Sequence, residues 1–187
     1  MSHSPASQSG PSIEALLYQA QKDGILPITS ECNSGCIFCS NHFSPPSCET
    51  LNIGRRSLDE IKESIPYLQA APGQIVIGES VTRINEGEPL THPDFPAIIR
   101  MVRNAYPDRV IRVTTNGSLL TPELTDLLAT LRVELTVSLN TVGKRLEVMC
   151  DPEPDRTLDN IAGLKGKVAF DGSIVALPLD DVLLHEF

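Results

Sequence analysis

Strand-like and helix-like stretches take turns along most of this chain, and that alternation leaves few folds open. Strands separated by helical stretches pair in parallel, because each helix serves as the crossover that returns the chain to the same edge. The clearest strand is residues 131–140, where Val133, Leu135, Val137 and Leu139 alternate with Glu134, Thr136, Ser138 and Asn140. Its apolar side belongs under helices, so its polar side faces the inside of a curved sheet, where a polar lining suits a ligand. Further strands are predicted at 25–29, 74–78, 109–115 and within 168–177. Between them fall helices that announce their own starts. Ser12 caps a stretch bearing Ile13, Leu16, Leu17 and Ala20, and Ser57 with Glu60 forms a capping box before Ile61, Ile65 and Leu68. A helix over 94–105 carries Ile98, Ile99 and Val102, Thr121-Pro122 opens another, one lies near 158–164, and 179–187 reads as the start of a further one. Residues 45–56 read as irregular, and 79–86 as a long polar connection.

At 187 residues the chain has the size of one domain. Residues 1–11, polar and rich in serine, read as a disordered tail, and 12–187 as the folded core. The formal net charge of -9 argues against a protein that coats nucleic acid, which carries a basic stripe. A small molecule or a peptide is favoured as substrate. No apolar run is long enough to span a bilayer, and the first residues lack the charged start and apolar stretch of a signal peptide. Five cysteines, three of them packed together, do not make a disulfide framework, and a reducing cytoplasm fits. Cys48 and Cys150 stand apart and read as incidental or buried thiols.

The packed three, Cys32, Cys36 and Cys39, follow a C-x3-C-x2-C pattern with Phe38 just before the last. Clustered thiolates point to a soft metal site. Taken alone, they could join His42 in a Cys3His zinc site, although a loop histidine in solvent is the plainer reading of His42. Their place in the chain adds information. The triplet follows the first predicted strand, Gly87-Glu88-Pro89 follows the second, Thr114-Thr115-Asn116-Gly117 ends the third, and Ser138-Leu139-Asn140 ends the fourth. Carboxyl ends of parallel strands are where α/β folds and barrels place their sites.

This order and spacing closely resemble the radical S-adenosylmethionine (SAM) enzymes, over about residues 25–177. The resemblance implies a partial (β/α) barrel of parallel strands. It implies that Cys32, Cys36 and Cys39 hold a [4Fe-4S] cluster whose fourth iron, lacking a protein ligand, chelates the amino and carboxylate groups of SAM. Phe38 would pack by the adenine and cluster, with core packing as its plain alternative. Glu88 would meet the methionine ammonium, while Gly87 and Pro89 shape the backbone there. Ser138 and Asn140 match the position that contacts the ribose hydroxyls, and Thr115 and Asn116 lie on the same rim. The implied reaction is reductive cleavage of SAM to a 5′-deoxyadenosyl radical that abstracts hydrogen from a substrate. A flavodoxin or ferredoxin would supply the electron.

The chain departs from the family pattern in two places. Where two glycines often precede the glutamate, Glu86 stands before Gly87, and the link from Gly78 to Gly87 is long. Glu79, Arg83 and Glu86 in that link read first as solvated loop charges, and second as contacts to SAM or substrate. The family core has six βα units and this chain shows about five, so the expectation is a core incomplete at its C-terminus. A non-catalytic iron–sulfur or SAM-binding module of a larger assembly, and a zinc-stabilised interaction domain, are the rival readings.

Overall fold

The computed structural model describes residues 11–43, 50–70, 73–80, 83–139 and 153–173. The chain opens with helix α1 (Ile13–Lys22), whose first turn is capped by the Ser12 hydroxyl accepting from the Ala15 N–H. After a short helix α2 (Ser40–Phe43) come strand β1 (Leu51–Asn52), helix α3 (Leu58–Ser64) with a 3-10 continuation over Ile65–Ala70, and strands β2 (Ile75–Ile77) and β3 (Ile84–Asn85). A 3-10 turn over Pro89–Thr91 leads to α4 (Phe95–Ala105), β4 (Ile111–Thr115), α5 (Pro122–Thr130), β5 (Val133–Ser138), α6 (Pro154–Ala162) and β6 (Phe170–Ser173).

The caps read from the sequence are in place. Ser57 and Glu60 form the reciprocal capping box of α3, and Thr121 caps α5 with Pro122 at its first position. Each satisfies backbone N–H groups that the first turn leaves without partners.

The main sheet runs in the order β2-β4-β5-β6, every pair parallel. The segment predicted as the first strand joins at the other edge through a parallel bridge between Ile25 and Val76. Strands therefore succeed one another in space in chain order, with no reversal. A right-handed crossover repeated in one direction puts every helix on the same side and bends the sheet toward a barrel, here left open. Apolar residues of β4 and β5 (Ile111, Val113, Val133, Leu135, Val137) meet Ile61, Leu68, Ile98, Ile99, Val102 and Leu128 of the helices in one core. Burial of such a side chain is worth roughly 1.5–3 kcal/mol relative to exposure. The opposite face is polar and half-buried, with Arg112 of β4 paired to Glu134 of β5 at 3.2 Å. The polar interior face expected from the alternation is thus present.

Two stretches differ from expectation. Residues 51–52 and 84–85, predicted irregular and connecting, pair as a small parallel sheet, with Leu51 opposite Ile84 and Asn52 opposite Asn85. The pairing is held by side chains that a local reading does not register. Asn85 donates to the Thr50 hydroxyl at 3.0 Å and accepts from the Ser40 hydroxyl at 2.9 Å, while its carbonyl accepts from the Ser30 hydroxyl. The tail before residue 11, the predicted helix over 179–187, Cys48, Cys150 and Asn140 lie outside the described residues.

Candidate cofactor site

The loop bearing the cysteines leaves the first strand at Thr29 and is clamped at its root. The Ser30 hydroxyl accepts from the Ile53 N–H at 3.0 Å, and the Ser30 N–H reaches the Gly54 carbonyl at 2.7 Å. The 87–88 segment is laced to the same root, with the Gly87 N–H on the Thr29 carbonyl and the Glu88 N–H on the Glu31 carbonyl, both at 2.9 Å. This close approach explains the glycine: a Cβ at position 87 would stand 2.0 Å from the Glu31 carbonyl oxygen. Gly78 is bound in the same way, at φ 87°, where a Cβ would meet the Thr114 carbonyl oxygen at 2.5 Å.

A second set of bonds ties the loop to the end of β4. Asn116 donates through its amide to the Asn33 carbonyl oxygen at 3.0 Å and to the Ser34 hydroxyl at 3.1 Å, and Asn33 donates to the Ser118 hydroxyl at 2.8 Å. Glu88 joins all three segments. Its Oε1 accepts from the Thr115 hydroxyl at 2.7 Å and the Leu90 N–H at 3.1 Å, and its Oε2 accepts from the Asn116 N–H at 2.7 Å. The side chain is buried, and burial pushes its carboxyl up to about 7 against the lowering effect of those three donors.

Cys32, Cys36, Phe38 and Cys39 line one cavity together with Gly87, Glu88, Thr115, Asn116 and Ser138. Residues from the cysteine loop and from the carboxyl ends of β2, β4 and β5 therefore meet around a single space. Cys32 is exposed, Cys36 and Cys39 are half-buried, and none of the three is in a disulfide. Of the residues predicted to bind cofactor, Pro89 stands just behind this lining, buried at the start of the 3-10 turn. The His42 side chain lies outside the described residues. Among the described residues no three His, Cys, Asp or Glu side chains form a single-ion site. Three thiols lining one cavity are the soft donors an iron–sulfur cluster takes, so the donor set fits a cluster.

Sequence reasoning missed some of this lining. Ser34, Asn41, Gly78 and Thr114 also face the cavity. Glu86 does so too, and it overturns the reading of a solvated loop charge. It is only 8 % exposed, its Oε2 accepts from the Gly78 N–H at 3.0 Å, and burial pushes its carboxyl up to about 8. The signal available was its place, next to Gly87 in a segment that must pack against the cysteine loop. Glu79 is half-buried and accepts from the Thr114 hydroxyl at 2.8 Å.

Comparison with known proteins gives a consistent picture. The sequence model of the Radical SAM superfamily matches residues 26–178. An AdoMet-dependent heme synthase of Methanosarcina barkeri is 31% identical over 150 residues, which are 80% of this chain and 36% of that one. A GTP 3',8-cyclase of Mycobacterium tuberculosis is 31% identical over 121 residues, 63% of this chain and 32% of that one. The chain thus spans about a third of the length of these relatives. Among solved structures, anSMEcpe with bound AdoMet and a peptide superposes with a TM-score of 0.56 at 20% identity, covering 79% of this chain and 41% of that one.

Proposed function

This chain belongs to the radical SAM superfamily, and from that premise we propose that it holds a [4Fe-4S] cluster and S-adenosylmethionine and acts as a radical SAM enzyme. The observation that carries the proposal is the convergence of three cysteines outside any disulfide, Glu88 and the carboxyl ends of three strands on one cavity. When bound, the cluster and SAM supply a one-electron cleavage that yields a 5′-deoxyadenosyl radical able to take hydrogen from a substrate.

The chain's own part is to bind, orient and shield. Cys32, Cys36 and Cys39 ligate the cluster as thiolates. Phe38, between the last two, packs beside it and keeps water from that wall. Gly87 lets the backbone approach closely, and Pro89 fixes the turn that follows. Glu88 faces the methionine ammonium with the acceptor capacity left on Oε2, which takes one protein donor where Oε1 takes two. Thr115 and Asn116 hold that carboxylate in place. Ser138, with Asn140 two residues on, offers hydroxyl and amide groups to the ribose diol. Residues 12–187 act as one core domain. A flavodoxin or ferredoxin delivers the electron, the substrate is a small molecule or peptide, and the protein works in the cytoplasm. No described helix is long and apolar enough to cross a membrane.

The test is anaerobic iron, sulfide and zinc analysis, followed by incubation of the reduced protein with SAM. Iron near four per chain and formation of 5′-deoxyadenosine are expected, and both are lost in Cys36→Ala. Stoichiometric zinc without iron would replace this reading with a structural metal site. SAM bound but never cleaved would leave a binding module.

A further inference from the structure

Among the described residues, two buried side-chain atoms lack any hydrogen-bond partner: Asn41 Oδ1 and Glu86 Oε1. Both residues line the cysteine cavity. Asn41 Oδ1 is an acceptor, Glu86 Oε1 is one once its carboxyl is ionised, and both side chains are pinned by their other ends. Asn41 donates to the Ser30 carbonyl at 3.2 Å, and Glu86 Oε2 accepts from the Gly78 N–H. The pinning leaves Oδ1 and Oε1 as the free ends. The two are set from one knot, since the Ser30 hydroxyl bonds the carbonyl of Asn85, the neighbour of Glu86.

Buried acceptors left open are costly, and those that persist beside a ligand cavity point to a donor that arrives with the ligand. The nearby carboxylates narrow the donor. Glu79 and Glu88 already take hydroxyl and N–H donors from the protein, and a third acidic side chain with an open oxygen favours a cation over a neutral hydroxyl. A group meeting two separate acceptors needs several N–H bonds, which a primary ammonium has. We propose that Glu86 and Asn41 form an acidic subsite for a primary ammonium group, at a position where the family pattern has glycine. The subsite rests on the cofactor cavity described above, and since the amino group of SAM is assigned to Glu88, the ammonium here belongs to an amine of the substrate. Burial holds the Glu86 carboxyl up to about 8, so arrival of a cation favours its ionised form.

The test uses the full chain with its cluster assembled anaerobically. In one arm SAM and 5′-methylthioadenosine, the same nucleoside without the amino-acid end, are titrated into wild type, Glu86→Gln and Asn41→Ala. In the other, n-butylamine and n-butanol are titrated with and without saturating SAM. Glu86→Gln keeps the shape and the acceptor for Gly78 but turns an amide donor to the cavity. It is expected to weaken n-butylamine about tenfold and n-butanol, SAM and 5′-methylthioadenosine not at all, with Asn41→Ala weakening the amine about threefold. Loss for n-butylamine with SAM unchanged is the expected result, and loss for SAM without loss for n-butylamine overturns the substrate-amine subsite. Equal behaviour of wild type and Glu86→Gln in both arms overturns the subsite. A wild type that binds no SAM would instead sink the cofactor reading, and the amine arm without SAM would still decide the subsite.

Discussion

The two ends of the sheet each bury a charged side chain, and they treat it in opposite ways. At the base, where strands begin, Arg103 of α4 spends every part of its guanidinium on carbonyls. Its Nε donates to Leu131, its Nη1 to Tyr106, Pro107 and Arg109, and its Nη2 to Arg132, at 2.7–3.1 Å. At the mouth, where strands end, Glu86 is equally buried yet has one oxygen on a single N–H and, among the described residues, the other on nothing. A planar fork of donors closes the turns before β4 and β5 and holds Arg132 at φ 51°, outside ordinary helix or strand backbone. The base is thus finished by the chain itself. The mouth is finished only when something else arrives.

If that contrast is right, the largest loss of stability comes from the base. Arg103→Ala leaves several carbonyls without donors, and at about 1–3 kcal/mol for each that water cannot reach, the cost is about 3 kcal/mol or more. For a chain of this size that lowers Tm by about 10 °C. Arg103→Lys recovers less than half, because a single ammonium cannot reproduce the fork. The protein that remains folded should bind SAM as wild type does. A Tm change under about 2 °C for Arg103→Ala would break the comparison at its first step.

The next effect is one of pH, and it belongs to the mouth. Glu86 is raised from 4.5 to about 8 and Glu88 from 4.5 to about 7, in both cases chiefly by burial. Folded chains therefore keep protons that unfolded chains have released. The stability from both groups is complete below about pH 4.5, declines as pH rises, and is lost through about 7 for Glu88 and about 8 for Glu86. Glu86→Gln should flatten the profile between pH 7 and 8 and about halve its slope between pH 4.5 and 7, as thermal melts across pH would read. An unchanged slope in that variant would mean that Glu86 is not buried in solution as it is here.

These two regions were not equally legible in the sequence. Helix caps at Ser12, Ser57 and Thr121 are local signals, and each appears in place, as does the strand order that follows from the alternation. The cavity residues Glu88, Thr115, Asn116 and Ser138 were legible through their position at strand ends. Arg103 was not, because its partners are backbone carbonyls on turns up to 29 residues away and leave no trace in side-chain pattern. Glu86 was misread for a related reason: a charge in a polar connection reads as solvated until the Ser30–Asn85 knot and Gly87 draw that connection under the cysteine loop. The pairing of residues 51–52 with 84–85 is equally long-range and only two residues wide.

Thr115 tests how far the mouth supports itself. Its hydroxyl donates to Glu88 Oε1 and accepts from the Gly117 N–H at 3.1 Å. Thr115→Val keeps the shape and removes both bonds, at a cost of about 1–3 kcal/mol because the Glu88 carboxylate is buried. The Glu88 carboxyl should rise further, so the destabilisation is larger at pH 8 than at pH 5. A loss independent of pH would assign the effect to the Gly117 turn alone.

The smallest stability effect is expected at Ser138, and it is the sharpest for the comparison. Ser138 ends β5 half-buried and lines the cavity. Its neighbour Val137 carries the packing into the core, so the hydroxyl has little to do with holding the sheet. Ser138→Ala should leave Tm within the scatter of a surface substitution, about 0.5 kcal/mol. If the hydroxyl meets the ribose, SAM binds about threefold to tenfold more weakly, the worth of one hydrogen bond. 5′-Methylthioadenosine, which has the same ribose, should lose as much, in contrast to its indifference to Glu86→Gln. A fall in Tm without a fall in affinity would show that the carboxyl end of β5 stabilises the sheet as the base does, and the division between a finished base and an open mouth would then stop at β4.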